Sequence, residues 1–356
     1  MTQTSSLDVY LVIGGDVLVG RHVVQQLKAR GDTVFVFDST QRHDDVECFS
    51  GDICDPDDLS RALQKTGATC IIHTMTPISV GNNHNPSIFH RVNVEGTKCV
   101  IAAAKAAGVR KLVYFSSSST VFDGRPIENG DETLPYPRKT PHPYATSKVL
   151  AEQNIIAAND PNALRTVVIR SAGLFGPMDK ETIFGAYDSW QSGTTHVQLG
   201  DNKNLFDNTC VENVAHAILL ASAKLDDPEI SEQVAGQVFF VTNQEPRPFW
   251  DFMRALWAGF DTIFPDRSKP AAKKPVVIPR WMAFVMAYIS QFIAWIRGDK
   301  NAIFTPYAVS WATTTVYFNC AKARRVLGYE PQVSVEEGIR RTMAWFKEEY
   351  DSGRVN

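Results

Sequence analysis

The sequence predicts an α/β protein, a doubly wound parallel sheet followed by a smaller C-terminal lobe. Three observations predict it. Short apolar runs alternate with amphipathic stretches through the first half of the chain, a glycine-rich turn follows the first run, and the alternation fades after residue 175. Strands are expected at Val9–Ile13, Thr33–Phe37, Thr69–Ile72, Lys111–Phe115 and Thr166–Ile169, with a weaker one at Val46–Phe49. Helical patterns lie between them, at Arg21–Arg30, Asp57–Lys65 and Val94–Ala107. Strands separated by helices imply right-handed crossovers and a sheet covered on both faces. The expected division is a nucleotide-binding core over 1–175 and a substrate lobe over 176–356 that hands some elements back to the sheet.

The glycine turn reads GGDVLVG, with Gly14, Gly15 and Gly20 at its ends. Such a turn between strand and helix lets backbone N–H groups approach a pyrophosphate at the helix N-terminus. Glycine turns join many strands and helices, so the turn alone is weak. Asp38 strengthens it. It ends the second strand, 18 residues after Gly20, where a carboxylate accepts hydrogen bonds from ribose hydroxyls and repels a 2′-phosphate. The expected cofactor is therefore NAD, with NADP disfavoured, on a Rossmann-type sheet.

Tyr144 and Lys148 form YATSK, and residues four apart share one helix face. A cation beside a phenol favours the phenolate, turning a group that titrates near 10 into a usable base. The pair follows the strand KLVYF, whose end carries Ser116–Ser119, and a serine there can hydrogen-bond the same substrate oxygen.

These residues are embedded in longer segments: GDICDPDDL (51–59), NVEGT (93–97), VYFSSSSTVFDG (113–124), DETLPYP (131–137), YATSKVLAE (144–152) and IRSAGLFGP (169–177). LGDNKNLFDNTCVENVAHA (199–217), LGYEP (327–331) and EEGIRRTMAWF (336–346) follow. Across nearly its whole length the chain resembles the extended short-chain dehydrogenase/reductases. Within them it resembles the 3β-hydroxysteroid dehydrogenase branch, its sterol-4-carboxylate members above all. The resemblance implies Tyr144 as general base, Lys148 as the residue that lowers its pKa and holds the nicotinamide ribose, and Ser118 as the catalytic serine with Ser117 as fallback. It also implies Asp52 and Ile53 at the adenine, Thr74 and Thr76 beside the nicotinamide ribose, and Asn93 as a structural or cofactor-orienting residue. The implied reaction is NAD-dependent oxidation of a 3β-hydroxyl on a sterol or triterpenoid, with a C4 carboxylate leaving as CO2.

Two positions depart from the pattern. Val17 stands where the branch has its middle glycine, preceded by Asp16, and Ser171 stands where a proline is common. A β-branched side chain resists positive φ and crowds an approaching phosphate, and Asp16 adds charge beside an anion site unless it caps the helix. Both changes predict weaker NAD binding.

Residues 276–297 form an apolar, membrane-associated segment in this reading. Its core, VVIPRWMAFVMAYISQFIAWI (276–296), carries a single charge at Arg280. Ser290, Gln291 and the Pro279–Arg280 break argue against a spanning helix and for one lying in a bilayer interface, with a single-pass or buried helix as alternatives. Trp281 and Trp295, with Lys273, Lys274, Arg280 and Arg297, supply interfacial anchors. The expected location is the endoplasmic reticulum membrane with the catalytic domain facing the cytosol, and a homodimer is the partner expectation. A net charge of -3 argues against nucleic acid as a partner. Six scattered cysteines without CxxC spacing read as thiols, not a metal site, and His73, His84, His90 and His216 as packed or surface residues. Two other classes share part of the pattern: a nucleotide-sugar epimerase, which has no use for 276–297, and a non-catalytic dinucleotide sensor, which Val17 favours and the Tyr–Lys pair opposes.

Overall fold

The computed structural model describes residues 8–40, 45–77, 86–265, 275–297 and 304–355. Seven strands form its main sheet: β1 (Val9–Ile13), β2 (Thr33–Asp38), β3 (Cys48–Ser50), β4 (Cys70–His73), β5 (Lys111–Ser117), β6 (Arg165–Ser171) and β7 (Gln237–Val241). Their order is β7-β6-β5-β4-β1-β2-β3, and every neighbouring pair is parallel. The strands are apolar runs because helices cover both faces; Leu11, Val12 and Ile13 are all fully buried, on alternate sides. From β1 the chain first adds β2 and β3 on one side, then crosses to β4 on the other. That reversal opens a crevice at the carboxyl ends of β1 and β4, where open α/β sheets bind ligands.

The early strand expectations hold within a residue or two. The region read as one helix over Val94–Ala107 is instead a π-helical stretch, His90–Gly96, running into an α-helix, Thr97–Ala106. The wider turn brings Asn93 inward, where it donates to Ser147 Oγ at 2.9 Å. Late segments return to the sheet: the helix Val211–Lys224 packs against Leu18–Arg30, and β7 becomes its edge.

The remaining chain builds an aromatic core of its own. Phe252, Leu256, Trp257 and Phe260 from the helix Phe249–Ile263 meet Met343 and Phe346 from Val335–Asp351. A small sheet of Arg247–Pro248, Leu205–Phe206, Val316–Phe318 and Ile127–Gly130 draws its last strand from the first half of the chain.

The apolar stretch is two elements. Val276–Ile278 is a strand paired in parallel with Val197–Leu199, and Pro279 then caps a helix over Arg280–Ile296. Ala283 and Ala287 pack on Val309, while Trp281, Val285, Tyr288, Ile289, Phe292, Trp295 and Ile296 are exposed. This rules out the buried-helix alternative. No helix among the described residues is long and apolar enough to cross a membrane. Arg280 is also no free anchor, since its guanidinium donates to Thr314 Oγ1 at 3.1 Å and lies over the Phe284 ring. Lys273, Lys274 and His84 lie outside the described residues.

Candidate active site

The nucleotide end of the crevice is built by close backbone approach. Gly14 has φ +83, and a Cβ there would stand 2.6 Å from the Met75 nitrogen. A Cβ on Gly20 would lie 2.0 Å from the Gly14 carbonyl oxygen, so the first helical turn can sit against the β1 loop only with glycine here. Gly15 lies against Val36 of β2. Thr74 donates its hydroxyl to the Gly14 carbonyl at 2.9 Å and the Ile13 carbonyl at 3.1 Å. Its hydroxyl therefore holds the glycine turn.

Val17 occupies the N-cap of the helix Leu18–Arg30 with φ -77 and ψ 161, ordinary extended backbone. The expected conflict with positive φ does not arise, because the only left-handed residue of the turn is Gly14. Nor does Asp16 cap the helix: its carboxylate pairs with Arg21, and its N–H donates to Asp38 Oδ2 at 3.1 Å. Asp38 also accepts from the Ser39 N–H at 2.7 Å, and burial raises its pKa, with the neighbouring Asp16 charge adding to the rise. Gly51 donates to the Asp38 carbonyl, which sets Asp52 and Ile53 beside it. Ile53 is buried. Asp52 Oδ1 accepts the Cys54 N–H at 2.9 Å, and that bond, with Arg91 on its other oxygen, lowers its pKa.

The chemical end lies on the helix Pro143–Ala157. Pro143 starts it, and His142 caps it by accepting the Tyr144 N–H on Nδ1 at 3.2 Å. Tyr144 and Lys148 share one face. Burial pushes the Tyr144 phenol well above its ordinary value, the Tyr307 phenol adds to the rise, and the nearby Ser117 and Thr76 side chains pull it back. Lys148 is fully buried, donates to the Phe115 carbonyl at 2.7 Å, and lies 4.3 Å from the Tyr114 ring centre. Burial brings its pKa down to about 7, opposed by the Glu152 charge.

Of the two candidate serines, Ser117 is the one whose side chain favours the Tyr144 phenolate, and Ser118 remains the one the family pattern implies. Ser118 is buried in the 3-10 turn that follows β5, while Ser117 also accepts the Ser119 N–H at 3.2 Å. The side chain reverses direction at each strand residue, so a run of four serines hides which one faces the crevice. Ser171 ends β6 opposite Ser117, with its hydroxyl donated to the Ala172 carbonyl at 3.2 Å.

Sequence reasoning missed the buried support beneath this pair. Glu152, one turn after Lys148, accepts from Ser116 Oγ and Tyr136 Oη, both at 2.6 Å, and is gripped by the Arg170 guanidinium. It also missed the aromatic contact from the second lobe, where Tyr307 stacks on His142 at 4.8 Å. Asn93 ties the π-helical stretch to Ser147, whose hydroxyl donates to the Tyr144 carbonyl at 2.7 Å. His73 is fully buried, with Nε2 3.0 Å from Thr97 Oγ1. No group of three His, Cys, Asp or Glu that could hold a metal occurs among the described residues.

Comparison with known proteins meets the same geometry. The family model for the 3-beta hydroxysteroid dehydrogenase/isomerase family matches residues 11–270. The chain belongs to that family. Among its members, the sterol-4-alpha-carboxylate 3-dehydrogenase, decarboxylating, of Saccharomyces cerevisiae is 36% identical, over 97% of this chain and 99% of its own. The protein of the same name from Mus musculus is 38% identical, over 94% of this chain and 90% of its own. Among solved structures, an epimerase of Methanothermobacter thermautotrophicus superposes with a TM-score of 0.74 at 21% identity, covering 98% of this chain and 94% of its own. The UDP-glucose 4-epimerase of Thermus thermophilus, solved with NAD, gives 0.68 at 22%, covering 95% and 98%. These two share the fold.

Proposed function

We propose that the chain is an NAD-dependent 3β-hydroxysteroid dehydrogenase that oxidises a sterol or triterpenoid 4-carboxylate and releases its C4 carboxylate as CO2. The observation that carries this reading is half-buried Tyr144 on one helix face with fully buried Lys148, with Ser117 nearby, at the carboxyl edge of a sheet whose glycine turn and Asp38 lie in the same crevice. Its relatives' names support the substrate class, and the family supports this reading over an epimerase or a sensor. The residues fit NAD. The left-handed Gly14 and the space kept by Gly20 open the helix N-terminus to a pyrophosphate, and Asp38 would hold the adenosine ribose. Two carboxylates, Asp16 and Asp38, would repel a 2′-phosphate.

When bound, NAD accepts the hydride from the carbinol carbon. The chain's residues do the rest. Tyr144 takes the hydroxyl proton, Ser117 orients the same oxygen, and Lys148 stabilises the phenolate and donates to the nicotinamide ribose. Oxidation leaves a ketone β to the carboxylate, which accepts the electron pair as CO2 departs. The deciding experiment supplies purified protein in detergent with NAD and a 3β-hydroxy-4-carboxy sterol, following NADH and CO2. One of each per turnover is expected; NAD binding without turnover would leave the sensor reading in its place.

Val17 now has a narrower role. Its backbone is unstrained, so its cost lies in side-chain bulk at the phosphate-facing end of the helix, where valine is also a poor cap. Val17→Gly should tighten NAD binding by about 3- to 10-fold, which isothermal titration reads directly. Unchanged or weaker binding would show that the turn accommodates the side chain.

We infer, too, that the exposed face of the helix Arg280–Ile296 lies in a lipid interface, the endoplasmic reticulum membrane being the one the resemblance implies. One contiguous stripe of large apolar side chains is exposed there, against a buried face of two alanines. The proposed substrate class dissolves in the same phase. Replacing Ile289 and Phe292 with Glu should reduce co-sedimentation with anionic phospholipid vesicles by at least about 10-fold, while turnover of detergent-solubilised substrate stays within about twofold. Vesicle binding unaffected by both changes would refute the assignment.

A further inference from the structure

The helix that follows the glycine turn, Leu18–Arg30, is bonded along one face to segments from the second half of the chain. His22 is buried on it, and its Nε2 lies 2.9 Å from the Pro177 carbonyl oxygen. A carbonyl can only accept, so Nε2 carries the proton and donates it. One turn on, Gln26 donates its side-chain amide to the Glu212 carbonyl at 2.9 Å. The Glu212 carboxylate in turn accepts from Arg341 of the helix Val335–Asp351, at 3.1 and 3.2 Å. Residues four apart share a helix face, so one face of the cofactor helix holds two carbonyls that lie far along the chain.

Ser171 ends β6 opposite Ser117, and the chain runs on through the strand Gly173–Phe175 to Pro177. Met178 follows with φ +71, a left-handed backbone that a residue other than glycine keeps only where its surroundings hold it. Asp179 is buried, and its Oδ1 accepts the Glu181 and Thr182 N–H groups at 2.9 and 3.0 Å, which starts the helix Thr182–Gln191. Ile183, Ala186 and Tyr187 of that helix pack into the aromatic core of the second lobe. A strained turn therefore links the catalytic edge of the sheet to the substrate lobe, and His22 grips the carbonyl in front of it from the cofactor side.

We propose that His22 is a positioning residue that couples the two ligands: by holding Pro177 against the cofactor helix, it makes bound nicotinamide cofactor raise the affinity for sterol. The inference rests on the NAD and sterol reading proposed above. A dinucleotide phosphate at the helix N-terminus fixes the first turn of Leu18–Arg30, directly ahead of His22. The bond to Pro177 passes that constraint to the Pro177–Asp179 turn, to which the helix Thr182–Gln191 is attached. With no cofactor the brace is looser, and the left-handed Met178 relaxes and carries that helix with it. The coupling is reciprocal, so sterol tightens the cofactor by the same factor. Burial lowers the His22 pKa against the pull of the Pro177 bond and the Glu212 charge, so the ring is uncharged near neutrality and the seam holds a hydrogen bond without a buried cation.

Titrating the full-length protein in detergent with NADH and a 3β-hydroxy-4-carboxy sterol tests this without turnover, because NADH cannot accept the hydride. In wild type each ligand should tighten the other by about 10-fold or more, within the usual range for coupled sites. His22→Leu should cut that factor below about threefold, while NADH alone binds within about threefold of wild type. His22→Gln, which keeps a donor of similar reach, should retain most of the coupling. His22→Asn, polar but too short to reach Pro177, gives the same reading as leucine if leucine disturbs folding. Adding Met178→Gly to His22→Leu should recover sterol affinity without recovering the coupling, since glycine holds φ +71 with no brace. Independent binding of the two ligands in wild type would overturn the proposal. So would a wild-type factor in His22→Leu or His22→Asn, or an NADH affinity that falls as far as the coupling does. Wild type that binds no NADH would instead refute the NAD reading itself.

Discussion

Tyr144→Phe should lower NADH formation by about 10³- to 10⁴-fold while NAD affinity changes less than about twofold, the upper range for loss of a general base. The phenol sits where burial alone makes it a poor base, and only Ser117 and Thr76 offset that burial. Lys148 must supply the rest. Its ammonium is buried and its pKa is held down to about 7, so it is already partly deprotonated near neutrality. A bound ribose and a developing phenolate are both groups that would hold the proton on it. Oxidation should therefore accelerate with rising pH as the phenol ionises, and Lys148→Met should push that rise to higher pH. Ser117→Ala should cost about 10- to 100-fold in kcat, because it removes a side chain that favours the Tyr144 phenolate. A larger loss confined to Ser118→Ala would return the role to the serine that the family pattern indicates. NAD affinity falling in step with activity in Tyr144→Phe would mean that the tyrosine binds cofactor and does not act as the base.

What the sequence made legible follows from what is local. Glycines at a strand-to-helix turn, a carboxylate at the next strand end and a Tyr–Lys pair one helical turn apart all express short-range geometry. Hydrophobic runs likewise mark buried strands. Where the local pattern is silent, contacts formed on folding decide the outcome. That the Thr74 hydroxyl holds the Gly14 carbonyl, 60 residues away, no local pattern reveals. Val17 looks strained until the turn places its single left-handed residue at Gly14. The π-helical stretch around Asn93 is set by Ser147, 54 residues later, which no periodicity in that segment reveals. Tyr307 carries no local mark at all, because its neighbours His142 and Tyr144 belong to the other half of the chain. The apolar stretch divided for a visible reason, Pro279, but which of its faces would be covered depended on Val309 in the next helix.

The buried support of Lys148 should have the largest effect on stability. Glu152→Ala is expected to destabilise the protein by about 3–5 kcal/mol, because it strands the Arg170 guanidinium in the interior together with the Ser116 and Tyr136 hydroxyls. Replacing both partners, Glu152→Leu with Arg170→Met, should recover most of that loss, since two apolar chains owe no desolvation. Urea unfolding of wild type and the two variants decides it, and a double variant no more stable than Glu152→Ala would mean that packing, not charge pairing, carries the site. The pair also acts on chemistry. Glu152 is the charge that raises the Lys148 pKa against burial, so Glu152→Gln should make the lysine lose its proton at still lower pH and depress turnover above neutrality. The linkage has a definite sign. Lys148 binds its proton more weakly folded, at about 7, than at its ordinary 10.5, so between those values the unfolded chain holds more protons and stability rises with pH. Below about 7 the buried ammonium exacts its full cost. Lys148→Met should therefore raise the melting temperature most at acid pH while sharply slowing oxidation near neutral pH, which is the outcome expected if the fold tolerates a destabilising charge because the reaction requires it.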